Sequence, residues 1–260
     1  MNQETQKRLA ESLTSDSVEI IPFLPYLLQD FWSLASDPDE MISLLRSHTD
    51  FGSHSKLLDL ACGKGAVSIH LAKEFDCRSK GIDLIFEFIE EAKEKAAEYG
   101  VTDLCTFITG NVNDSVAVER DFDLTVWGGS GDLLGSYPKT IEGIARTVRP
   151  GGYILMDDGY ITDLKQNLRF HHNYLTKAEW EQAFIENNLA VVACSEAIQE
   201  IDPEAYSEDL GNIRRRAEEL IRQHPGQKEL FDDYVKGQQA EYEDLQDGFV
   251  PALWLLKKII

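Results

Sequence analysis

Two aspartates and a glycine turn are the residues of this chain best suited, by type and spacing, to hold a nucleotide-like ligand. Residues 56–71 read KLLDLACGKGAVSIHL, an apolar stretch with Asp59 near its end that continues into Gly63 and Gly65. Glycine allows a tight turn and a close approach of the backbone to a ligand, because it has no Cβ. Asp83 ends the next apolar stretch, where a carboxylate can accept hydrogen bonds from both hydroxyls of a ribose. The pattern predicts a buried strand, a ligand-binding turn and a helix.

The spacing within the turn separates two classes of cofactor. Dinucleotide-binding turns carry G-x-G-x-x-G, whereas this turn reads D-x-A-x-G-x-G and has Ser68 where the third glycine would stand. It is similar to the first motif of the class I S-adenosylmethionine-dependent methyltransferases, E/D-x-G-x-G-x-G, with Ala61 in place of the first glycine. A purely structural turn is the alternative interpretation, and the acid at Asp83 argues against it.

A second motif strengthens this resemblance. The sequence R-P-G-G at residues 149–152 precedes an apolar strand, as it does in this family. The resemblance covers residues 51–158 in motifs and extends more loosely to the C-terminus. It implies an α/β fold with a doubly wound, mainly parallel seven-stranded sheet in the order 3-2-1-4-5-7-6, of which only strand 7 is antiparallel.

Apolar stretches alternate with helical patterns along the chain, which independently favours a parallel sheet covered by helices on both faces. The predicted strands are residues 56–60, a strand that ends at Asp83, and residues 105–109, 122–127, 153–156, 189–193 and 249–260. The predicted helices of the core are residues 66–73, 87–99 and 139–148, and a helix with Thr176 as its N-cap and Glu179 closing a capping box.

Two further segments are expected to add to this core. Residues 1–50 form an aromatic, helical N-terminal cap, in which Tyr26 or Trp32 either packs a helix onto the sheet or touches the cofactor or substrate. The core comprises residues 51–195 and the final antiparallel strand at 249–260. Residues 196–248, read as acidic helices at 207–223 and 227–245, are too long for a hairpin loop and form either a lid or a homodimer interface.

The resemblance implies roles for individual residues. Asp59, Ala61, Gly63 and Gly65 border the methionine amino acid and the ribose, and Asp83 binds the ribose. Leu84 flanks the adenine, Asn111 accepts a hydrogen bond from its amino group, and Val112 supplies a backbone N–H. Trp127 and Gly128 end the fourth strand, where a backbone carbonyl meets the ammonium group of the cofactor.

The residues that would act on a methyl acceptor are less well marked. Asp157, Asp158 and Tyr160 are expected after the fifth strand, at the cofactor edge of the sheet. His171, in the next connection, is a candidate base, although His171 and His172 are equally readable as surface residues. The fourth strand ends in W-G-G-S and not in the D/N-P-P-Y/F of base-methylating enzymes, which favours in-line methyl transfer to a small molecule.

The amino-acid composition disfavours several classes of binding partner. The 260 residues carry a net charge of -21, and no basic tract exceeds Arg214 to Arg216, so nucleic acid and anionic membranes are disfavoured. An apolar run long enough for a membrane span and a leader sequence are both missing, so a cytoplasmic protein is expected. Four scattered cysteines predict no metal site. A non-catalytic cofactor-binding or regulatory protein, transfer of another group from the same cofactor, and a nicotinamide-dependent oxidoreductase remain the alternatives.

Overall fold

A computed structural model describes residues 3–162, 174–196, 203–246 and 248–259. Within these residues the chain forms a seven-stranded sheet in the order β3-β2-β1-β4-β5-β7-β6. The strands are β1 Lys56–Leu60, β2 Arg78–Asp83, β3 Cys105–Thr109, β4 Phe122–Gly128, β5 Val148–Ile161, β6 Leu189–Glu196 and β7 Phe249–Lys258. β7 runs antiparallel to both of its neighbours, and the other pairs are parallel. The predicted fold class and strand order are confirmed.

Helices connect the strands and cover the sheet. Those of the core are α4 Ala66–Phe75, α5 Phe86–Glu98, α6 Val112–Val118, α7 Tyr137–Thr147 and α8 Lys177–Glu186. The predicted capping box begins α8, with the Glu179 N–H donating to the Thr176 hydroxyl and the Thr176 N–H donating to the Glu179 carboxylate. In the described part of the chain, no helix has the length and apolar character needed to cross a membrane.

The central strands are buried because helices cover both of their faces. All residues of β1 except Lys56 are buried, which is typical of a parallel strand with two covered faces. Trp127, Trp180 and Trp254 lie in one hydrophobic cluster and are at most 1% exposed. This cluster fixes β4, α8 and β7 relative to one another, and thereby the edge at which the parallel strands end.

β5 differs from the prediction. It runs beyond residues 153–156 at both ends, and the R-P-G-G turn lies within it as an irregularity, where the pairing partner shifts between Phe122 and Leu124. Asp157, Asp158 and Tyr160 therefore lie inside the strand, and their predicted position after it is wrong. The physical reason is the antiparallel partner β7, whose pairing with β5 continues to Ile161.

The remaining helices belong to the N-terminal segment and to residues 203–246. They are α1 Gln3–Ser12, a 3-10 helix Val18–Phe23, α2 Leu24–Leu27, α3 Pro38–His48, α9 Pro203–Gln223, a 3-10 helix Pro225–Gln227 and α10 Lys228–Gln246. Ile20 and Leu27 from the N-terminal segment pack with Phe231 of α10 in a cluster that includes Ile85 and Phe88, which follow β2. α9 and α10 thus stack on the N-terminal helices.

Candidate cofactor and active site

The glycine turn between β1 and α4 adopts left-handed backbone geometry at three positions. Ala61, Gly63 and Gly65 have φ angles of 57°, 51° and 75°. A Cβ added to Gly65 would lie 2.8 Å from the Phe107 ring, so both the backbone angle and the packing require glycine there. Ala61 adopts the same geometry with a side chain. The turn places its backbone at the carboxyl end of β1, as the sequence predicts.

Asp83 at the end of β2 is bonded to this turn. Its carboxylate accepts hydrogen bonds from the Gly63 N–H at 2.9 Å and from the Ile85 N–H at 2.9 Å. Burial raises the pKa of Asp83, and the backbone donors oppose this rise. The side chain lies 8% exposed in the wall of a cavity, where a carboxylate can accept hydroxyl donors.

Asp59 lies deeper, in a buried polar chain. The Ser68 hydroxyl donates to its carboxylate at 2.7 Å, and the Ser79 hydroxyl donates to Ser68 at 2.9 Å. Burial raises the pKa of Asp59 to about 7, and the nearby Asp83 charge adds to the rise. Ser68, at the position of the third glycine in dinucleotide-binding turns, therefore anchors the acid of the turn to α4.

The residues predicted to surround the adenine lie together. Leu84, Asn111 and Val112 line one small pocket with Ala61 and Asp83. Val112 is the first residue of α6, so its N–H has no acceptor within the helix. The amide oxygen of Asn111 instead caps α6, where it accepts the N–H of Asn113 at 3.0 Å. If the adenine amino group donated to the Asn111 amide oxygen, that oxygen would accept two hydrogen bonds, one from adenine and one from the Asn113 N–H.

The carboxyl end of β4 is covered by the chain before α3. Trp127 is fully buried in the core, and its indole donates to the Gly131 carbonyl, so only its backbone reaches the edge. A Cβ on Gly128 would lie 2.3 Å from the Ser36 hydroxyl, and one on Gly129 would lie 2.3 Å from Ala35. The close approach of residues 33–36 explains why two glycines end this strand.

These parts enclose a cavity of about 230 Å³ at the carboxyl edge of the sheet. The turn, Asp59, Asp83 and the end of β4 form its floor. Residues of α1 and the chain that includes Trp32 and residues 33–36 form one wall, and Tyr234, Gln238 and Glu241 of α10 form another. The cavity lies where open α/β sheets bind their ligands, between β1 and β4.

Lys64 joins this site, and sequence reasoning missed it. Its side chain is fully buried, and its ammonium contacts a Glu91 oxygen at 3.0 Å and donates to the Leu28 carbonyl at 2.9 Å. The Trp32 indole donates to the Lys64 carbonyl at 3.0 Å. The turn is therefore fastened to the N-terminal segment through two groups of Lys64. The signal was present in the sequence, as the lysine stands between the two glycines.

The three predicted acid–base residues are Asp157, Asp158 and His171. Asp157 lies beside Ser36 and α3, and burial raises its pKa to about 6 while the Ser36 hydroxyl opposes the rise. Asp158 accepts a long hydrogen bond of 3.5 Å from the Tyr137 hydroxyl. Neither aspartate is among the described residues that line the cavity. His171 lies outside the described residues. Within the described residues, no group of three or more His, Cys, Asp or Glu side chains could hold a metal.

Comparison with known proteins decides the family. A family model for a methyltransferase domain matches residues 51–221, well over half of the chain. The chain belongs to this methyltransferase family. The resemblance to class I S-adenosylmethionine-dependent methyltransferases inferred from the two motifs is confirmed.

Relatives among curated proteins match over shorter stretches. The uncharacterized protein YjhP of Escherichia coli (strain K12) is 29% identical over 106 residues, which are 41% of this chain and 42% of that protein. Demethylmenaquinone methyltransferase of Symbiobacterium thermophilum is 29% identical over 108 residues, 41% of this chain and 43% of that enzyme. The chain thus spans about two fifths of the length of these curated relatives.

Solved structures match over nearly the whole chain. A methyltransferase from Geobacter sulfurreducens in complex with S-adenosylhomocysteine has a TM-score of 0.72 at 20% identity, covering 90% of this chain and 97% of that one. The crystal structure of Escherichia coli YjhP has a TM-score of 0.73 at 19% identity, covering 91% and 98%. At these identities the likeness establishes the fold. The S-adenosylhomocysteine in the Geobacter complex agrees with the predicted cofactor.

Proposed function

We propose that this protein is a methyltransferase that binds S-adenosylmethionine and methylates a small molecule. The observation that carries the proposal is the cavity at the carboxyl edge, whose floor combines the glycine turn with the buried carboxylate of Asp83. When bound, S-adenosylmethionine supplies a methyl group already activated on a sulfonium. The protein then has to bind the cofactor and the methyl acceptor, orient them for transfer and shield them from water.

The residues present fit this cofactor. The left-handed turn places the backbone of Gly63 at the cavity, and Asp83 offers carboxylate oxygens for two ribose hydroxyls. Leu84 and the Val112 N–H suit an adenine ring. The backbone at Trp127 and Gly128 suits the methionine end, which residues 33–36 would cover. We assign Asn111 a minor role, because its oxygen already caps α6.

A small-molecule acceptor fits a cavity that the chain itself walls in. α1, residues 33–36 and α10 stand between the glycine turn and the surface, so a duplex or a folded protein surface could not reach the cofactor without their displacement. Positioning of donor and acceptor alone can supply effective molarities of roughly 10⁵–10⁸ M. We infer that residues 196–248 act as a lid, because α10 lines the cavity; the homodimer interface is the competing role.

Calorimetric titration with S-adenosylhomocysteine and with NADH tests the cofactor. We expect S-adenosylhomocysteine to bind and NADH not to bind, because Ser68 replaces the third glycine of a dinucleotide turn. Tight binding of NADH with no response to S-adenosylhomocysteine would refute the proposal.

Two variants test the assignment of residues within the cofactor site. Asp83→Ala should weaken S-adenosylhomocysteine by more than about tenfold, since hydrogen bonds to a charged group contribute about 1.5–3 kcal/mol. Asn111→Ala should weaken it by less than about fivefold, and should also lower the free energy of unfolding by about 1 kcal/mol through loss of the α6 cap. Equal losses of affinity would show that the adenine pocket is misplaced.

A further inference from the structure

Tyr234 of α10 lies between two spaces. It lines the cofactor cavity and also a second, larger depression of about 690 Å³, here termed the outer groove, which is lined by side chains from the ranges 14–19 and 226–240. Thr14 lines both spaces as well, and its hydroxyl donates to Glu241 of α10. Tyr234 and Thr14 therefore form a partition between the outer groove and the cofactor cavity.

The hydroxyl of Tyr234 is buried and has no hydrogen-bond partner among the described residues. The residue is 2% exposed, and burial raises the pKa of its phenol, so the hydroxyl stays protonated at neutral pH and can both donate and accept. A buried polar group without a partner is costly, and phenylalanine would fill nearly the same space without that cost. The retained hydroxyl thus indicates that a ligand completes its hydrogen bonds at the partition.

The cofactor cavity is small for a cofactor and an acceptor together. Its volume of about 230 Å³ lies below the roughly 300–1,000 Å³ of typical small-molecule pockets, whereas the outer groove falls within that range. A cofactor bound at the glycine turn would fill the cavity. The bulk of a methyl acceptor then has room on the far side of Tyr234, in the outer groove.

The outer groove is polar and carries an excess of negative charge. Its described lining includes four carboxylates, of Asp16, Glu19, Glu229 and Asp233, and a single ammonium, of Lys236. Lys236 donates to Asp233 at 2.7 Å, so the groove as a whole stays negative. Ionised carboxylates only accept hydrogen bonds, so this lining suits a ligand rich in O–H or N–H donors and repels an anionic one.

We propose that the outer groove binds the methyl acceptor, and that the acceptor is a polar, non-anionic small molecule rich in O–H or N–H donors. Its reacting group passes the partition and forms a hydrogen bond with the Tyr234 hydroxyl. This inference rests on the proposed methyltransferase function. Polyols and polyamines share the required chemistry, and separate probes distinguish them. An apolar acceptor would leave the Tyr234 hydroxyl without a partner.

Two pairs of variants test the partition and the groove. Tyr234→Phe removes only the hydroxyl at the partition, and Tyr242→Phe makes the same change elsewhere on α10. Glu229→Gln removes a charge from the groove, and Glu218→Gln removes one from an exposed position of α9. Calorimetry measures S-adenosylhomocysteine affinity and then the binding of acceptor probes to the loaded protein. The probes are hexoses, linear polyamines, hexuronic acids and hexanol, and turnover is followed as S-adenosylhomocysteine release.

We expect a hexose or a polyamine to bind the loaded protein and to be methylated in preference to hexuronic acids and hexanol. Tyr234→Phe should weaken this binding about three- to tenfold at unchanged S-adenosylhomocysteine affinity. It should not lower the resistance of the free protein to urea, because the lost hydroxyl has no partner there. Glu229→Gln should weaken a polyamine about two- to fivefold and a hexose by less, and both controls should match the parent protein.

Equal losses of acceptor and S-adenosylhomocysteine affinity in Tyr234→Phe would place the hydroxyl against the cofactor and overturn the inference. So would turnover of hexuronic acids or hexanol alone, or the failure of every hexose and polyamine to bind. Lower resistance of Tyr234→Phe to urea would give the hydroxyl a structural role instead. If S-adenosylhomocysteine itself does not bind the parent protein, the proposed function fails first.

Discussion

Ala61 holds a backbone conformation that suits glycine. Its φ of 57° lies in the left-handed region, which costs a residue with a Cβ roughly 1–2 kcal/mol. The related motif has glycine at this position, and the structure gives the physical reason. The turn tolerates alanine because α4 and Asp83 hold its other residues in place.

Replacing Ala61 by glycine should therefore stabilise the protein. The relief of strain exceeds the extra chain entropy of glycine, so we expect a gain of about 0.5–1 kcal/mol in the free energy of unfolding, measured in urea. The same substitution at Ala117, an exposed residue of α6, should lower stability by about 1 kcal/mol. If both substitutions destabilise equally, Ala61 is not strained.

Asp59 makes stability depend on pH. Burial raises its pKa from 3.8 to about 7, so between these values the folded protein holds a proton that the unfolded chain has released. Stability contributed by the neutral acid is thus lost as pH rises towards 7. Asparagine at this position cannot ionise, so the variant Asp59→Asn does not lose this stability. As the pH rises from 5.5 to 8, its free energy of unfolding in urea should therefore increase by about 1–2 kcal/mol relative to that of the parent protein.

The control for this effect is Asp103→Asn, which alters an exposed aspartate in a turn. Its stability difference from the parent protein should stay constant over the same pH range. A constant difference for Asp59→Asn as well would mean that Asp59 ionises in the folded protein as it does in the unfolded chain.

At the scale of elements, α9 is fastened to the N-terminal segment by one cluster of side chains. Arg216 contacts both carboxylate oxygens of Asp30, at 2.7 and 2.8 Å, and also Glu219 at 3.0 Å. The Tyr26 hydroxyl donates to Glu219 at 2.6 Å. Tyr26 therefore ties α2 to α9 and does not line the cavity, whereas Trp32 does.

Arg216→Ala should loosen this attachment more than it unfolds the protein. Exposed ion pairs contribute about 0–1 kcal/mol each, so the free energy of unfolding should fall by about 1 kcal/mol or less. Because α9 packs with the N-terminal segment and with α10, and both of these line the cavity, we expect S-adenosylhomocysteine affinity to fall about three- to tenfold. Arg222→Ala, an exposed change on the same helix, is the matched control, and equal affinity in both variants would separate α9 from the site.

Local signals in the sequence were sufficient for most elements. The Thr176 capping box, the glycine turn and the bounds of β3 each depend on neighbouring residues, and all three match the structure. The extent of β5 was not predictable in this way, because its pairing with β7 joins residues far apart in sequence. For the same reason, the positions of Tyr234 and Lys64 in the cavity wall could not be predicted, because the residues around them come from other parts of the chain.

For the whole molecule, the cavity is a joint product of three regions: the core turns, residues 33–36 and α10. Two of these regions cover a floor built by the third, and Lys64 and Trp32 hold the N-terminal cover to the turn. We propose that a cofactor entering this cavity passes these covers and is then held beneath them. Segments that open for ligands come from the less stable part of a fold, and bound ligand reduces their opening.

Hydrogen exchange with and without S-adenosylhomocysteine tests this arrangement. We expect slower exchange on binding at residues 61–65, 32–36 and 234–241, and no change in α8, which lies away from the cavity. Protection of both covers follows if residues 196–248 act as a lid, because their opening then competes with the bound state. Protection confined to the core turns, together with a dimeric mass by light scattering, would instead make the insertion an interface between copies of the chain.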